Sequence, residues 1–355
     1  MTTPDLVALS LLPAARRRAA AALVNAPPDL LAAPGALEVL VGFCARDEPD
    51  PAGRARLLLE TAGRCLAEGA ARNLKVLTFF DAAYPERIRQ IADAPAVLWL
   101  RGDADLLSRS AVAIVGSRAA SPYGLAVAER LGRDLARAGL VVVSGLARGC
   151  DAAAHRGALD AGGPTVAVLG CGADQVYPPE HADLYGRIVR QGAILSELPP
   201  GTPPLAVHFP WRNRLISGLC RGVVVVEASE KSGSLITARA ALEQGRDVMA
   251  VPGSVLGSRA RGCHALLRDG ARLVETADDV LDELGLGGSA ARRAPDTVHA
   301  GDDPVLSHLA HGEACDVDTL AARSGLAPPE LLPRLLALEL DGRVTRAPGG
   351  RFVRR

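Results

Sequence analysis

The chain has 355 residues, 48% apolar and 23% charged with 3% aromatics, and its 40 basic and 40 acidic residues leave a formal net charge of zero. That length exceeds one ordinary domain and supplies apolar side chains for a sizeable core. Zero net charge excludes a global field that draws the protein onto nucleic acid or membrane, so any anion site must be a local patch.

The seven cysteines (44, 65, 150, 171, 220, 263 and 315) are scattered singly, with no C-x-x-C pair. This argues against a zinc ribbon or a thioredoxin-type motif and suits a reducing compartment. MTTPDLVALSLLPAARRR (1–18) has an acid before its short apolar run and arginines after it, the wrong order for a secretory signal. No apolar run reaches the ~18 residues of a membrane span. The expectation is a soluble, cytoplasmic protein.

Residues 1–70 are Ala/Leu-rich with a helical pattern, broken at NAPPD (25–29) and EPDPAG (48–53), and predict a small helical domain of SAM or helix-hairpin-helix type. A lead-in over 74–109 follows, and then the character changes. Short apolar runs recur: AVAIVG (111–116), LVVVSG (140–145), TVAVLG (165–170), AILSE (193–197), GVVVVEA (222–228), DVMAVPG (247–253) and RLVET (272–276). Helical periods separate most of them; in 124–139 Leu125, Ala128, Leu131, Leu135 and Ala138 share one face. Strands without polar alternation are buried on both faces, so the pattern predicts a mostly parallel, doubly wound Rossmann-like α/β domain over 74–283. Residues 284–303 have linker composition. Beyond them, three short helical patterns and two strands around a Pro-Gly-Gly turn predict a winged helix over 304–355.

In an open parallel sheet, ligands bind beyond the carboxyl ends of the strands, where helix N-termini present free N–H groups. Three loops there have phosphate-binding chemistry: Gly116-Ser117-Arg118, the 144–149 loop with Ser144, Gly145, Arg148 and Gly149, and the 227–237 loop with Lys231, Ser232, Gly233, Ser234 and Thr237. FPWRNR (209–214) adds Arg212, Asn213 and Arg214 just before the fifth strand. Glycines let backbone approach a phosphate, hydroxyls donate, and arginine offers a bidentate fork. Three such loops on one edge suit a chain of phosphates better than a single one.

Asp151 and His155 fall one turn apart on a helix, with Ser144 nearby. There is no G-x-S-x-G elbow, and the expectation is a cap plus a hydrogen-bonded core histidine, with no catalytic residue. No third ligand accompanies the pair, so no metal is expected. Neither G-x-G-x-x-G nor G-x-x-x-x-G-K-[ST] occurs, so no nucleotide cofactor is expected either.

IVGSR (114–118), VSGLARGCDAAAHRGAL (143–159), FPWRNRLISGLC (209–220), EASEKSGSLITARAALEQGRDVMAVPG (227–253) and RGCHALLRDGA (261–271) occur in the order of the DNA-processing protein A (DprA/Smf) family. The chain resembles that family densely over 84–280 and loosely in both flanking domains. The resemblance implies a non-catalytic, homodimeric protein that binds single-stranded DNA and loads the RecA recombinase during natural transformation. It implies that Arg118, Arg212 and Arg214 contact phosphates. By the same resemblance Ser144, Gly145, Arg148, Gly149 and the Ser/Thr residues of SGSLIT would line the same groove, with Phe209 a stacking surface. Trp211 stands where the family often has a basic residue, and Ala260 where a serine commonly precedes RGCH.

Two other classes compete. A lysine-decarboxylase-like nucleotide hydrolase shares a related sheet, but its P-G-G-x-G-T-x-x-E signature meets Ser232–Ala240, where Ile236 replaces a glycine and Ala240 the catalytic acid. A transcription regulator acting through the winged helix is the other. Its third helix, PPELLPRLLALELDG, carries Glu330, Arg334, Glu339 and Asp341 and is net acidic, unlike a major-groove reader. The expectation is that this domain docks a protein partner, or touches DNA only through Arg343, Arg346, Arg351 and the terminal arginines.

Overall fold

The computed structural model describes residues 1–12, 31, 33–44, 49–287, 303–309 and 313–354. Most of the 284–303 linker and part of the 1–70 segment thus lie outside the described residues. Helices α1 (Thr3–Ser10), α2 (Ala36–Cys44) and α3 (Pro51–Ala71) come first. Strand β1 (Lys75–Thr78), helix α4 (Glu86–Arg89) and strand β2 (Val97–Gly102) form the lead-in.

The α/β region alternates through β3 (Ala111–Val115), α5 (Pro122–Arg137), β4 (Val141–Ser144), α6 (Cys150–Asp160), β5 (Thr165–Val168), α7 (Ala182–Gln191) and β6 (Ala193–Ser196). It continues through α8 (His208–Leu219), β7 (Gly222–Val225), α9 (Ser234–Glu243), β8 (Asp247–Ala250), α10 (Arg261–Arg268), β9 (Arg272–Leu273) and α11 (Ala277–Glu283). One sheet runs in the order β1-β2-β6-β5-β4-β3-β7-β8-β9. The seven strands from β6 to β9 are parallel, and β2 joins β6 antiparallel with Leu100 opposite Leu195.

The apolar runs become strands because both sides of the sheet are covered. Val112 and Ile114 face a core with α5, α6 and α11, while Ala113 and Val115 face another that includes α8 and α9. Helix α5 starts where Ser121 caps it, its hydroxyl accepting from Gly124 N at 3.1 Å, with Pro122 at the first helical position. Ala128, Leu131 and Leu135 of its expected face are buried, but Leu125 is 38% exposed and Ala138 is the exposed C-cap. Leu6 and Leu9 of α1 share one apolar cluster with Trp99 of β2, so the described part of 1–70 is packed onto the antiparallel edge of the sheet rather than set apart. Gly69 of α3 permits this approach, since a Cβ there would stand 2.5 Å from the Trp99 ring.

The C-terminal unit has α12 (Pro304–Ser307), β10 (Ala314–Cys315), α13 (Val317–Ser324), α14 (Pro328–Leu340), β11 (Val344–Ala347) and β12 (Arg351–Arg354). Its sheet order is β10-β12-β11, one short strand more than the sequence pattern implied, and its core is its own. No helix among the described residues is long and apolar enough to cross a membrane.

Candidate nucleic-acid interface

From β3 the chain builds β4, β5 and β6 on one side, then crosses back to place β7 on the other side of β3. The strand order reverses at β3, and a crevice is expected beyond its carboxyl end. A groove of about 680 Å³ lies there. Gly116, Ser117 and Arg118 line it after β3, Asp151 from the start of α6, and Ser229, Ser232, Gly233, Ser234 and Thr237 after β7, with Phe209, Arg212 and Asn213 of α8 opposite.

The loop 117–121 is pinned at both ends by one residue. Ser117 N donates to the Glu227 carbonyl at 2.7 Å, and Ser121 N donates to Glu227 Oε1 at 3.1 Å. The Ser121 hydroxyl also donates to the same carboxylate. Gly149 closes over this loop at φ +76°, and a Cβ there would lie 2.1 Å from the Ser117 carbonyl, so only glycine fits. Arg118 stands exposed on the crest, its guanidinium carbon 5.2 Å from the Phe209 ring centroid. It has no carboxylate partner among the described residues. The Phe209 ring lies 5.3 Å from that of Tyr177. Cation and aromatic faces therefore stand together at the groove wall, the pairing that single-strand binders use for phosphate and base.

The floor is different. Arg212 lines the groove but is 5% exposed, with its Nη1 donating to the Val168 carbonyl. Burial lowers its pKa to about 10, opposed by the Asp151 charge, so it stays cationic at neutral pH. Gly145 makes room for it, since a Cβ would lie 2.5 Å from both terminal nitrogens. Asp151 accepts from Gly145 N at 3.0 Å and Ala147 N at 3.4 Å, so it caps the 145–147 loop as well as balancing Arg212. Burial pushes its carboxyl up and Arg212 draws it back.

Arg214 requires a correction. It is buried between two carboxylates, Nε 2.8 Å from Asp93 and Nη2 2.9 Å from Glu197, and it does not line the groove. Trp211 lies on this network, its Nε1 donating to Glu197 at 3.1 Å and its ring 4.4 Å from the Arg214 guanidinium carbon. A desolvated arginine is held where acids neutralise it, and these two acids leave it no role as a phosphate contact.

Ser144 also leaves the expected set: it is fully buried and its hydroxyl donates to the Ile114 carbonyl at 2.6 Å. Gly149 acts through backbone shape, as above. Arg148 is exposed outside the main groove, on a small cavity shared with Arg118 and Tyr177, and it pairs with Glu180. Lys231 is exposed but does not line the groove. Asn213 reaches across it, Nδ2 donating to the Gly233 carbonyl at 3.3 Å. Ser229, in the loop after β7 already singled out from the sequence, lines the groove, and Tyr177 is a groove residue that the sequence pattern did not point to. An aromatic before two prolines, in a chain so poor in aromatics, is the signal that could have found Tyr177.

His155 is fully buried with Nδ1 2.7 Å from the Thr165 hydroxyl, and burial lowers its pKa to about 3. With Ser144 committed to β3, no Ser-His-Asp relay exists here. No group of three or more His, Cys, Asp or Glu among the described residues could hold a metal ion. In the winged helix, Leu332 and Leu336 of α14 are exposed, and Arg346 pairs with Glu339 at 3.2 Å.

A switch-point groove walled by serines, glycines and an exposed arginine, on a chain that carries a winged helix, defines a Rossmann-like nucleic-acid-binding class. The family model described as DNA recombination-mediator protein A matches residues 75–285, and that of the DprA winged helix domain matches 289–350. The chain is 42% identical to Protein Smf of Escherichia coli over 284 residues, 76% of this chain and 75% of that one. It is 49% identical to DNA processing protein DprA of Streptococcus pneumoniae over 207 residues, 58% and 73% of the two chains. The crystal structure of DprA from Streptococcus pneumoniae superposes with a TM-score of 0.68 at 38% identity, covering 80% of this chain and 98% of that one. A structure of DNA processing protein A from Helicobacter pylori, described for its single-stranded DNA binding mode, gives 0.54 at 30% identity over 59% and 95%. The chain belongs to the DNA recombination-mediator protein A family, the DprA/Smf proteins, and is a DNA-processing protein of the recombination-mediator kind.

Proposed function

We propose that this protein binds single-stranded DNA along the carboxyl edge of its sheet, without catalysis, and hands the strand to the RecA recombinase, acting in the cytoplasm as a homodimer during natural transformation. The observation that carries the DNA reading is Arg118. It is an exposed cation with no carboxylate partner among the described residues, poised over Phe209 at the mouth of a groove walled by hydroxyls and glycines. The single-stranded DNA binding of the Helicobacter pylori relative supports the same choice of ligand. Phosphates would lie against Arg118, Ser117 and the 232–234 turn, and a base would stack on Phe209.

The absence of chemistry rests on the groove's own residues. Asp151 is tied to backbone amides and Arg212, and Ala240 stands where a related hydrolase would need an acid. The acidic third helix of the winged helix, with exposed Leu332 and Leu336, favours a protein partner over duplex DNA. Fluorescence anisotropy with labelled oligo-dT and with its duplex, at several salt concentrations, tests the reading. Single strand should bind more tightly, with log affinity falling by about 0.7 per phosphate contact per log unit of salt. Equal affinity for the two forms would overturn it.

A further inference from the structure

A second cavity of about 670 Å³ lies on the far side of the loop 117–121. Ser121 and Tyr123 line it from the start of α5, Glu227 from the end of β7, and the loop after β8, residues 252–260, closes its outer wall. Its volume is in the range of small-ligand sites. The two cavities share one partition: Arg118 lines the groove and Ser121 this second space. Glu227 holds that partition in place and also lines the second cavity. Arg259 donates to the Ala119 carbonyl, and the Tyr123 hydroxyl donates to the Pro252 carbonyl at 3.1 Å, so the outer loop is fastened to the same partition.

The chemistry of this space differs from that of the groove. Glu227 and Arg259 are its charged lining residues, and Arg259 is engaged by a carbonyl, so a phosphate would meet a carboxylate with little to offset it. At the tip of the outer loop, between the lining residues Ser254 and Gly257, Val255 is 80% exposed and Leu256 97% exposed. Two adjacent apolar side chains held in water beside a cavity, with the Tyr123 ring also exposed, suit a flat, uncharged, partly apolar group. A nucleobase on a strand whose phosphates are gripped at Arg118 is such a group.

We propose that the space between Tyr123, Glu227 and the 252–260 loop is a nucleobase subsite, filled by a strand that leaves the groove over the Arg118 crest and covered by Leu256. The inference rests on the single-strand reading above and extends it by one cavity. The test compares oligo-dT of about 5 and about 10 nucleotides, lengths that bracket the lower range of single-strand sites. Leu256 is a surface side chain, so Leu256→Ser and Leu256→Trp should fold as wild type does. In Leu256→Ser the longer oligonucleotide should bind about five- to tenfold more weakly, with the shorter one unchanged. Leu256→Trp should restore or tighten the longer one, and 2-aminopurine near its end should be quenched in wild type but not in Leu256→Ser. If both lengths bind but neither variant alters either, the subsite is overturned while the groove stands. If Leu256→Ser changes only the mass in sedimentation, the tip is an interface between copies, and the subsite is again overturned. If neither length binds wild type, the single-strand reading itself fails.

Discussion

Arg118 and Arg214 carry the same side chain into opposite surroundings. Arg118 stands on the crest of the groove, exposed, with an aromatic face beneath it and no acid beside it among the described residues. Arg214 lies below the floor with its side chain 9% exposed, between Asp93 and Glu197. One is poised to exchange water for a phosphate; the other has already exchanged water for carboxylates and holds the lead-in, the segment after β6 and α8 together. A basic motif such as Arg-Asn-Arg therefore does not define a binding surface by composition alone. The partner each charge has in the folded state decides its role.

Breaking the floor should cost the most. Arg214→Ala leaves the buried Glu197 carboxylate without its cation and the half-buried Asp93 without its partner, and denaturant unfolding should show a loss of about 3 kcal/mol. The folded fraction should keep its salt dependence of DNA binding. A stable Arg214→Ala protein with weakened binding would instead move Arg214 into the interface.

A smaller effect comes from His155, also under the floor. Its pKa is lowered from the ordinary 6.5 to about 3, so the folded protein keeps it neutral while the unfolded chain takes up a proton as pH falls below about 6.5. Its contribution to stability is complete above that value and is lost as pH falls toward 3. Between pH 7 and 5 this amounts to about 2 kcal/mol. His155→Asn should unfold at more nearly the same denaturant concentration at both pH values; an equally steep fall in the variant would assign the acid sensitivity elsewhere.

The smallest expected effect is beside the groove, on the small cavity that Arg148 lines. Glu180 occupies Arg148 through an exposed pair that raises the arginine's pKa and lowers the acid's. Glu180→Gln should release Arg148 toward the strand and tighten single-strand binding by less than about fivefold. Weaker binding on that change would mean that Glu180 itself positions the site.

The sequence carried the parallel strands and the loops after them because both signals are local. An apolar run with no alternation specifies a doubly covered strand, and the rule that ligands lie beyond the carboxyl ends turns strand ends into candidate sites. Arg118 and the 232–237 turn were legible in that way as groove-lining residues, whereas Phe209, on a helix before β7, came only with the family resemblance. What could not be read depends on residues far apart in the chain. Arg214 meets Asp93 across 121 positions, and β2 meets β6 through pairs such as Leu100 with Leu195. Ser144 looked like a groove hydroxyl because it ends a strand, yet the last strand position still faces inward, to the Ile114 carbonyl. The segment 1–70 read as a domain of its own because the amphipathic faces of its described helices do not reveal that Trp99 completes their core.

The most direct measurement is the salt dependence of oligo-dT binding in wild type and in Arg118→Ala, at temperatures where both are folded. The variant is expected to bind about tenfold more weakly, with a log–log slope flatter by about 0.7 and unchanged thermal stability. A folded Arg118→Ala protein with wild-type affinity and slope would contradict that expectation, and would place the strand somewhere other than this groove.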